Sequence, residues 1–289
     1  MRVSTSKALP IVVLILLFSL IFSIYKHSKG TPLTSETTEI VKEDTQSEKY
    51  NIVLATTDKS IKGSYNTGLP QHPKLSWYDA TIKQEEPNVD IDVNYPQFVG
   101  DEIVTQLNQY IGNTLTKLIE EDMARMKDLI ASAPDDFGSH VYLTTSYKVM
   151  GVIKGVVSIE IVAIDFTGGG NGNHSYPITI NWDLKSNRLL KNTELFCSKD
   201  YISTLMPLVR KQILKDFSSS DHIQQPLSGD IIEGVNYGTE NESDNWEHFL
   251  LTKDGLMAVF PPYQVTSGAE GIVRAFVPYT DIPNLVCLP

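Results

Sequence analysis

Residues 141–164 read VYLTTSYKVMGVIKGVVSIEIVAI, and the fold class turns on them. Val141, Leu143, Thr145, Tyr147 and Val149 alternate with Thr144, Ser146 and Lys148, and Val157, Ile159, Ile161 and Ala163 alternate with Ser158 and Glu160. A period of two is the pattern of strands with one buried face. Met150-Gly151 lies between the two runs and predicts a hairpin turn there. Working outward, Tyr176, Ile178, Ile180, Trp182 and Leu184 alternate in the same way, as do Val89, Ile91, Val93 and Tyr95. Lys253-Asp254-Gly255 sets a second turn between runs 246–251 and 256–260, and Ile272–Tyr279 reads as a last strand.

Two segments change period. Val104, Leu107, Ile111, Leu115, Leu118, Met123 and Met126 recur at helical spacing in 101–131, with Asp101 as cap. Leu205, Val209 and Ile213 do so in 199–217, with Ser198 as cap. Adjacent hairpins with few helices predict an α+β fold, mostly antiparallel sheet with two main amphipathic helices.

The N-terminus is a different object. No residue from Ala8 to Tyr25 is charged, and 18 residues make a helix of about 27 Å, enough for a bilayer's hydrocarbon core. Arg2 and Lys7 precede the run, and Ser23-Ile24-Tyr25-Lys26-His27 offers no small-residue cleavage site. Residues 1–30 are therefore expected to be an uncleaved signal-anchor spanning the membrane through residues 8–25, with a cleaved signal peptide as the alternative. The larger side is expected to lie outside the cytoplasm. Residues 31–74, dense in Thr and Ser and broken by Gly63, Gly68, Pro70 and Pro73, read as a tether. Residues 75–289 are left as the folded domain.

The net charge of −11 is unevenly spread, with +4 on residues 1–30 and −1 on 31–74, leaving −14 on 75–289. Such a domain is no nucleic-acid binder, which needs a basic face. It suits a basic partner, since opposite charge speeds encounter. Two cysteines, Cys197 and Cys287, build no disulfide framework and no four-thiolate zinc site. They either pair, closing a long loop, or stay free.

The loop Gly168-Gly169-Gly170-Asn171-Gly172-Asn173-His174-Ser175 matches neither phosphate-binding glycine motif, because a strand follows it where both need a helix. It reads either as a flexible hairpin loop or as a ligand-facing one, the latter making Gly169, Asn171 and His174 candidate contacts. The six histidines show no H-x-H or i, i+4 spacing, so no metal or other cofactor is expected. No G-x-S-x-G elbow is present. Acids near the loops, such as Asp165, Asp183 and Glu270, are the candidates for any acid–base chemistry.

The glycine loop with His174-Ser175-Tyr176, then Ile180-Asn181-Trp182-Asp183-Leu184-Lys185-Ser186-Asn187-Arg188 and Glu194-Leu195-Phe196, resembles a known family. So does Phe249-Leu250-Leu251-Thr252-Lys253-Asp254-Gly255-Leu256 followed by Phe260-Pro261-Pro262-Tyr263-Gln264-Val265, Gly268 and Gly271. The pattern resembles the extracytoplasmic domain of RsiV-type anti-sigma factors and the N-terminal region of PdaC-type peptidoglycan deacetylases, over about residues 75–280. The resemblance implies an α+β domain outside the membrane, one that in the RsiV branch receives lysozyme. It also implies that Pro261 and Tyr263 face a ligand, against the alternative of a strand-ending turn with Tyr263 packed inside. With seven residues ahead of the anchor and an end at Pro289, the shared ectodomain by itself is expected. The resulting expectation is a membrane-anchored binding or sensor module, not an enzyme, for lysozyme-like protein or a cell-wall component such as peptidoglycan. The alternative is a peptidoglycan-modifying enzyme or an accessory subunit of one.

Overall fold

In the computed structural model of the protein, the described residues are 53–54, 59–86, 88–100, 102–132, 141–166, 173–220 and 226–288. The apolar run 8–25, Asp101, Gly169 and Asn171 lie outside them. The chain order is β1 (Val53–Leu54), β2 (Gly63–Leu69), β3 (His72–Glu86), β4 (Val89–Val99), α1 (Glu102–Ser132), β5 (Val141–Ile153), β6 (Val156–Phe166), β7 (Asn173–Asp183) and β8 (Arg188–Leu189). Then follow α2 (Tyr201–Ser218), α3 (Gly229–Gly238), β9 (Phe249–Leu251), β10 (Gly255–Phe260) and β11 (Val273–Pro278). The class is α+β with mostly antiparallel sheet. No described helix is long and apolar enough to cross a membrane.

The large sheet runs β1-β3-β4-β5-β6-β7-β8, with β2 also paired to β3, and the small one runs β11-β10-β9. Every pairing is antiparallel except β4 with β5. That exception follows from α1, which crosses between the two strands and so lets the chain re-enter in the same direction.

Helix α1 lays Leu107, Ile111, Leu115 and Met126 on one face of the large sheet, against Val93, Leu143, Ile159 and Ile161. A second core gathers Leu205, Val209 and Ile213 of α2 with Phe249, Phe260 and Ala275 of the small sheet. Strand β6 serves both. Val157, Ile159 and Ile161 belong to the first core and Val156 to the second. Its residues 156–161 are all buried, which is why the period-two signal is mixed with apolar residues on both faces. The two cores are stitched by polar bonds across the join. Ser158 Oγ donates to Asn181 Oδ1 (2.8 Å) and accepts from the Leu251 N–H (2.9 Å), Asn181 Nδ2 donates to the Phe249 carbonyl (2.8 Å), and Arg274 Nε donates to Glu160 Oε1 (2.7 Å).

Several local expectations change. The hairpin between β5 and β6 turns at Lys154-Gly155, both at positive φ (50° and 85°), while Gly151 marks a register shift within the ladder. Positive φ at both turn residues matches the twist of the flanking strands. Residues 63–69 and 72–74, read from composition as tether, lie in β2 and β3, and β2 pairs antiparallel with β3. Asp200, not Ser198, holds the cap position of α2; Ser198 Oγ accepts from the Asp200 N–H instead. Helix α3 was not anticipated, and Ser228 caps it by accepting from the Ile231 N–H.

Candidate functional site

Two places carry chemistry. The first lies beneath the C-terminal half of α1. Asp165 on β6 stands directly across from His174 on β7, and Tyr176 stands across from Ala163, so all these side chains share the face that α1 covers. From α1, Asp122 and Arg125 reach down to them. Arg125 Nη2 donates to Asp122 Oδ1 and to Asp165 Oδ2, and the Tyr176 hydroxyl donates to Asp122 Oδ2 at 2.8 Å. Asp165 is 0% exposed and Asp122 5%. His174 Nδ1 lies 3.4 Å from Asp165 Oδ1, and both atoms are buried without a hydrogen-bond partner among the described residues.

Burial pushes the Asp122 carboxyl above its ordinary value, against the lowering effect of the Tyr176 hydrogen bond and the Arg125 charge. Burial and the neighbouring Asp122 push the Tyr176 hydroxyl up as well. The cluster thus joins two carboxyls, one cation, a phenol and an imidazole, a set able to hold and pass a proton. Among the described residues no group of three or more His, Cys, Asp or Glu is arranged to hold a metal ion.

The second place is a groove between α3 and the connection from β10 to β11. Asp230 and Tyr237 of α3 form one wall; Tyr263, Gln264 and Glu270 form the other, around a cavity of about 270 Å³. Tyr237 is 74% exposed and Tyr263 70%. Close backbone approach makes the groove: a Cβ on Gly238 would meet the Gln264 carbonyl oxygen at 1.9 Å, so only glycine lets α3 lie this near. Gln264 Nε2 ties the connection down by donating to the carbonyls of Gly238 (2.9 Å) and Asn245 (2.8 Å). Tyr263 adopts φ 69°, a left-handed conformation that costs a non-glycine residue energy. Its ring lies over Gly268, where a Cβ would come within 2.1 Å of it. A strained backbone that projects an aromatic ring into solvent is a pattern found at binding sites.

The residues singled out in the sequence thus separate. His174 joins the buried polar cluster and lines no part of the groove; Tyr263 lines the groove, and Pro261, half-buried, precedes it. Asp165 belongs to the cluster and Glu270 to the groove, whereas Asp183 closes a turn by accepting from the Lys185 N–H and the Ser186 hydroxyl. Cys197 and Cys287 form a disulfide, with Cα atoms 4.9 Å apart. The bond reinforces a small bridge in which the Cys197 and Cys287 N–H groups donate to the Leu285 and Leu195 carbonyls, each at 2.9 Å. Sequence reasoning passed over Asp122, Arg125 and Tyr237. Asp122 did leave a signal, since it stands four residues after Leu118 and four before Met126, in register with the apolar face of α1.

Comparison with known proteins adds the following. A family profile described as "Deacetylase PdaC" matches residues 82–174, and one described as "Protein of unknown function (DUF3298)" matches residues 191–280. The peptidoglycan-N-acetylmuramic acid deacetylase PdaC of Bacillus subtilis is 22% identical over 195 residues, covering 66% of this chain. The chain spans 38% of that relative's length. Among solved structures, a DUF3298 family member from Bacteroides fragilis aligns with a TM-score of 0.50 at 20% identity, over 83% of this chain and 96% of that one. A DUF3298 family protein from Pseudomonas aeruginosa aligns with a TM-score of 0.52 at 15% identity, over 74% and 94%. These structures share the fold. The PdaC-like character of the earlier part of the domain stands on these matches. The expectation that the chain is not an enzyme is corrected by them, because both the profile and the relative are named for a deacetylase.

Proposed function

We propose that the protein works in peptidoglycan modification, as part of a modifying enzyme or as an accessory subunit of one, with the tyrosine-walled groove holding the glycan. The observation that carries this reading is the 195-residue similarity to a peptidoglycan deacetylase, joined to a profile match that runs from the end of β3 to the start of β7. The groove supports it physically. Sugar rings present apolar C–H faces that pack on tyrosine, and their hydroxyls meet polar groups such as Gln264 and Glu270 at the rim. The proposal includes an extracytoplasmic position, tethered to the membrane through residues 8–25.

Purified protein mixed with insoluble peptidoglycan tests this by co-sedimentation, with acetate release measured in the same tubes. Sedimentation of the wild type, reduced about tenfold in a Tyr237→Ala/Tyr263→Ala double variant, is the expected result. Both residues are exposed, so the variant keeps its fold. Absence of both binding and acetate release would refute the reading. Lysozyme in a parallel tube tests the sensor reading of the domain, which calls for capture of that basic protein at least as strong as capture of peptidoglycan.

A further inference from the structure

We infer that the groove selects glycans carrying free amines, the de-N-acetylated form, over their N-acetylated counterparts; this rests on the glycan reading above. Apart from the two tyrosines, the titratable side chains lining the groove are Asp230 and Glu270, both acidic. Among the described residues, no lysine, arginine or histidine lines it. Asp230 and Glu270 are both exposed. A neutral acetamido group offers the two carboxylates a single N–H donor and no charge, and its carbonyl oxygen is turned away by them. An ammonium on the same sugar carbon gains from both, and also from the faces of Tyr237 and Tyr263, which attract cations.

The shape of the groove is set before any ligand arrives. Gly238 and Gln264 fix the distance between its walls, and Gly268 fixes the Tyr263 ring, so little ordering is left to be done on binding. De-N-acetylation turns a neutral group into a cation, and the groove carries the complementary sign. A protein that works in that modification would therefore be held on wall already modified. The acidic groove reads the product of the reaction and not its substrate.

Two β-1,4-linked hexosamine oligosaccharides of equal length, one with free amines and one fully N-acetylated, separate the possibilities by titration calorimetry with the full chain. Two exposed carboxylates predict about fivefold tighter binding of the amine form, with the preference shrinking as salt rises. An Asp230→Asn/Glu270→Gln variant should level the two affinities, the amine form losing more than the acetylated one. Equal affinity of the wild type for both sugars would overturn this inference and leave the glycan reading standing. Binding of neither would remove both. Displacement of the amine form by oligolysine of equal charge, at equal concentration, would show that charge alone is read and would also overturn it.

Discussion

Replacing Arg125 with Met tests how the polar cluster beneath α1 is held together. Arg125 is the cation shared by Asp122 and Asp165, one nearly buried and the other wholly so. Methionine keeps the apolar stem that packs beside the sheet and removes the charge. Stripping the partner from a buried carboxylate costs about 3–5 kcal/mol. The Arg125 side chain is itself 45% exposed, so water takes over part of its role and the low end applies, about 3 kcal/mol. In a domain of this size that lowers the melting temperature by about 6–12 °C. The loss must also depend on pH. Burial already holds the Asp122 carboxyl above its ordinary value, so as pH falls it takes up a proton, no longer carries uncompensated charge, and the deficit should shrink to about 1 kcal/mol. Urea unfolding of wild type and variant at pH 7 and pH 4 measures both. A deficit under about 1 kcal/mol at pH 7, or one equal at the two pH values, would refute the account of the cluster as held together by the Arg125 cation.

Four further outcomes are expected. Burial holds Asp122 above its ordinary value, so the folded state binds that proton more tightly than the unfolded one. The stability this contributes is present in full below the unfolded pKa of about 3.9 and is lost as pH rises through the folded value. Asp122→Asn should therefore gain on the wild type from pH 4 to pH 7, read as a changing difference in urea midpoint. Serine at both Cys197 and Cys287 opens a loop with a sequence separation of 90 and should cost about 4–5 kcal/mol, seen by thermal unfolding without reductant. Gly238→Ala drives a methyl into the Gln264 carbonyl oxygen; about 2–3 kcal/mol of stability and the glycan affinity should fall together. Tyr263→Gly relieves the left-handed backbone and should raise stability by about 1 kcal/mol while weakening glycan capture, an opposition that unfolding and calorimetry would expose.

Elements whose buried face followed a single period could be read from the sequence. Helix α1 keeps its apolar side in step through Leu107, Ile111 and Leu115, and β5 alternates cleanly through Val141, Leu143 and Thr145. Strand β3 was hidden for a physical reason. Leu75 and Trp77 are buried, and so are Ala80 and Gln84, so the parity of burial switches within the strand. The β5–β6 turn was misplaced because two glycines four residues apart, Gly151 and Gly155, both interrupt the apolar run; the ladder absorbs Gly151 as a shift and bends at Lys154-Gly155. Pairing partners leave no local trace at all. Arg125 and Asp165 are forty residues apart, and nothing in either neighbourhood announces the other. The groove was half legible: the resemblance pointed to Tyr263, but Tyr237 needed the approach of α3, which two glycines and a half-buried glutamine contact decide only in three dimensions.

The disulfide between Cys197 and Cys287 has a meaning for the chain's response to proteases. It makes residues 197–287 a covalent ring. A single peptide-bond cut anywhere between them, including in the stretch between α2 and α3, yields a molecule of unchanged mass apart from one added water. Both fragments stay attached and both cores stay stapled to each other through Ser158, Asn181 and Glu160. Such a cut would be silent on a non-reducing gel and visible only after thiol treatment. Shedding of the second core into the surroundings therefore requires either a cut outside the ring or a reductant as well as a protease.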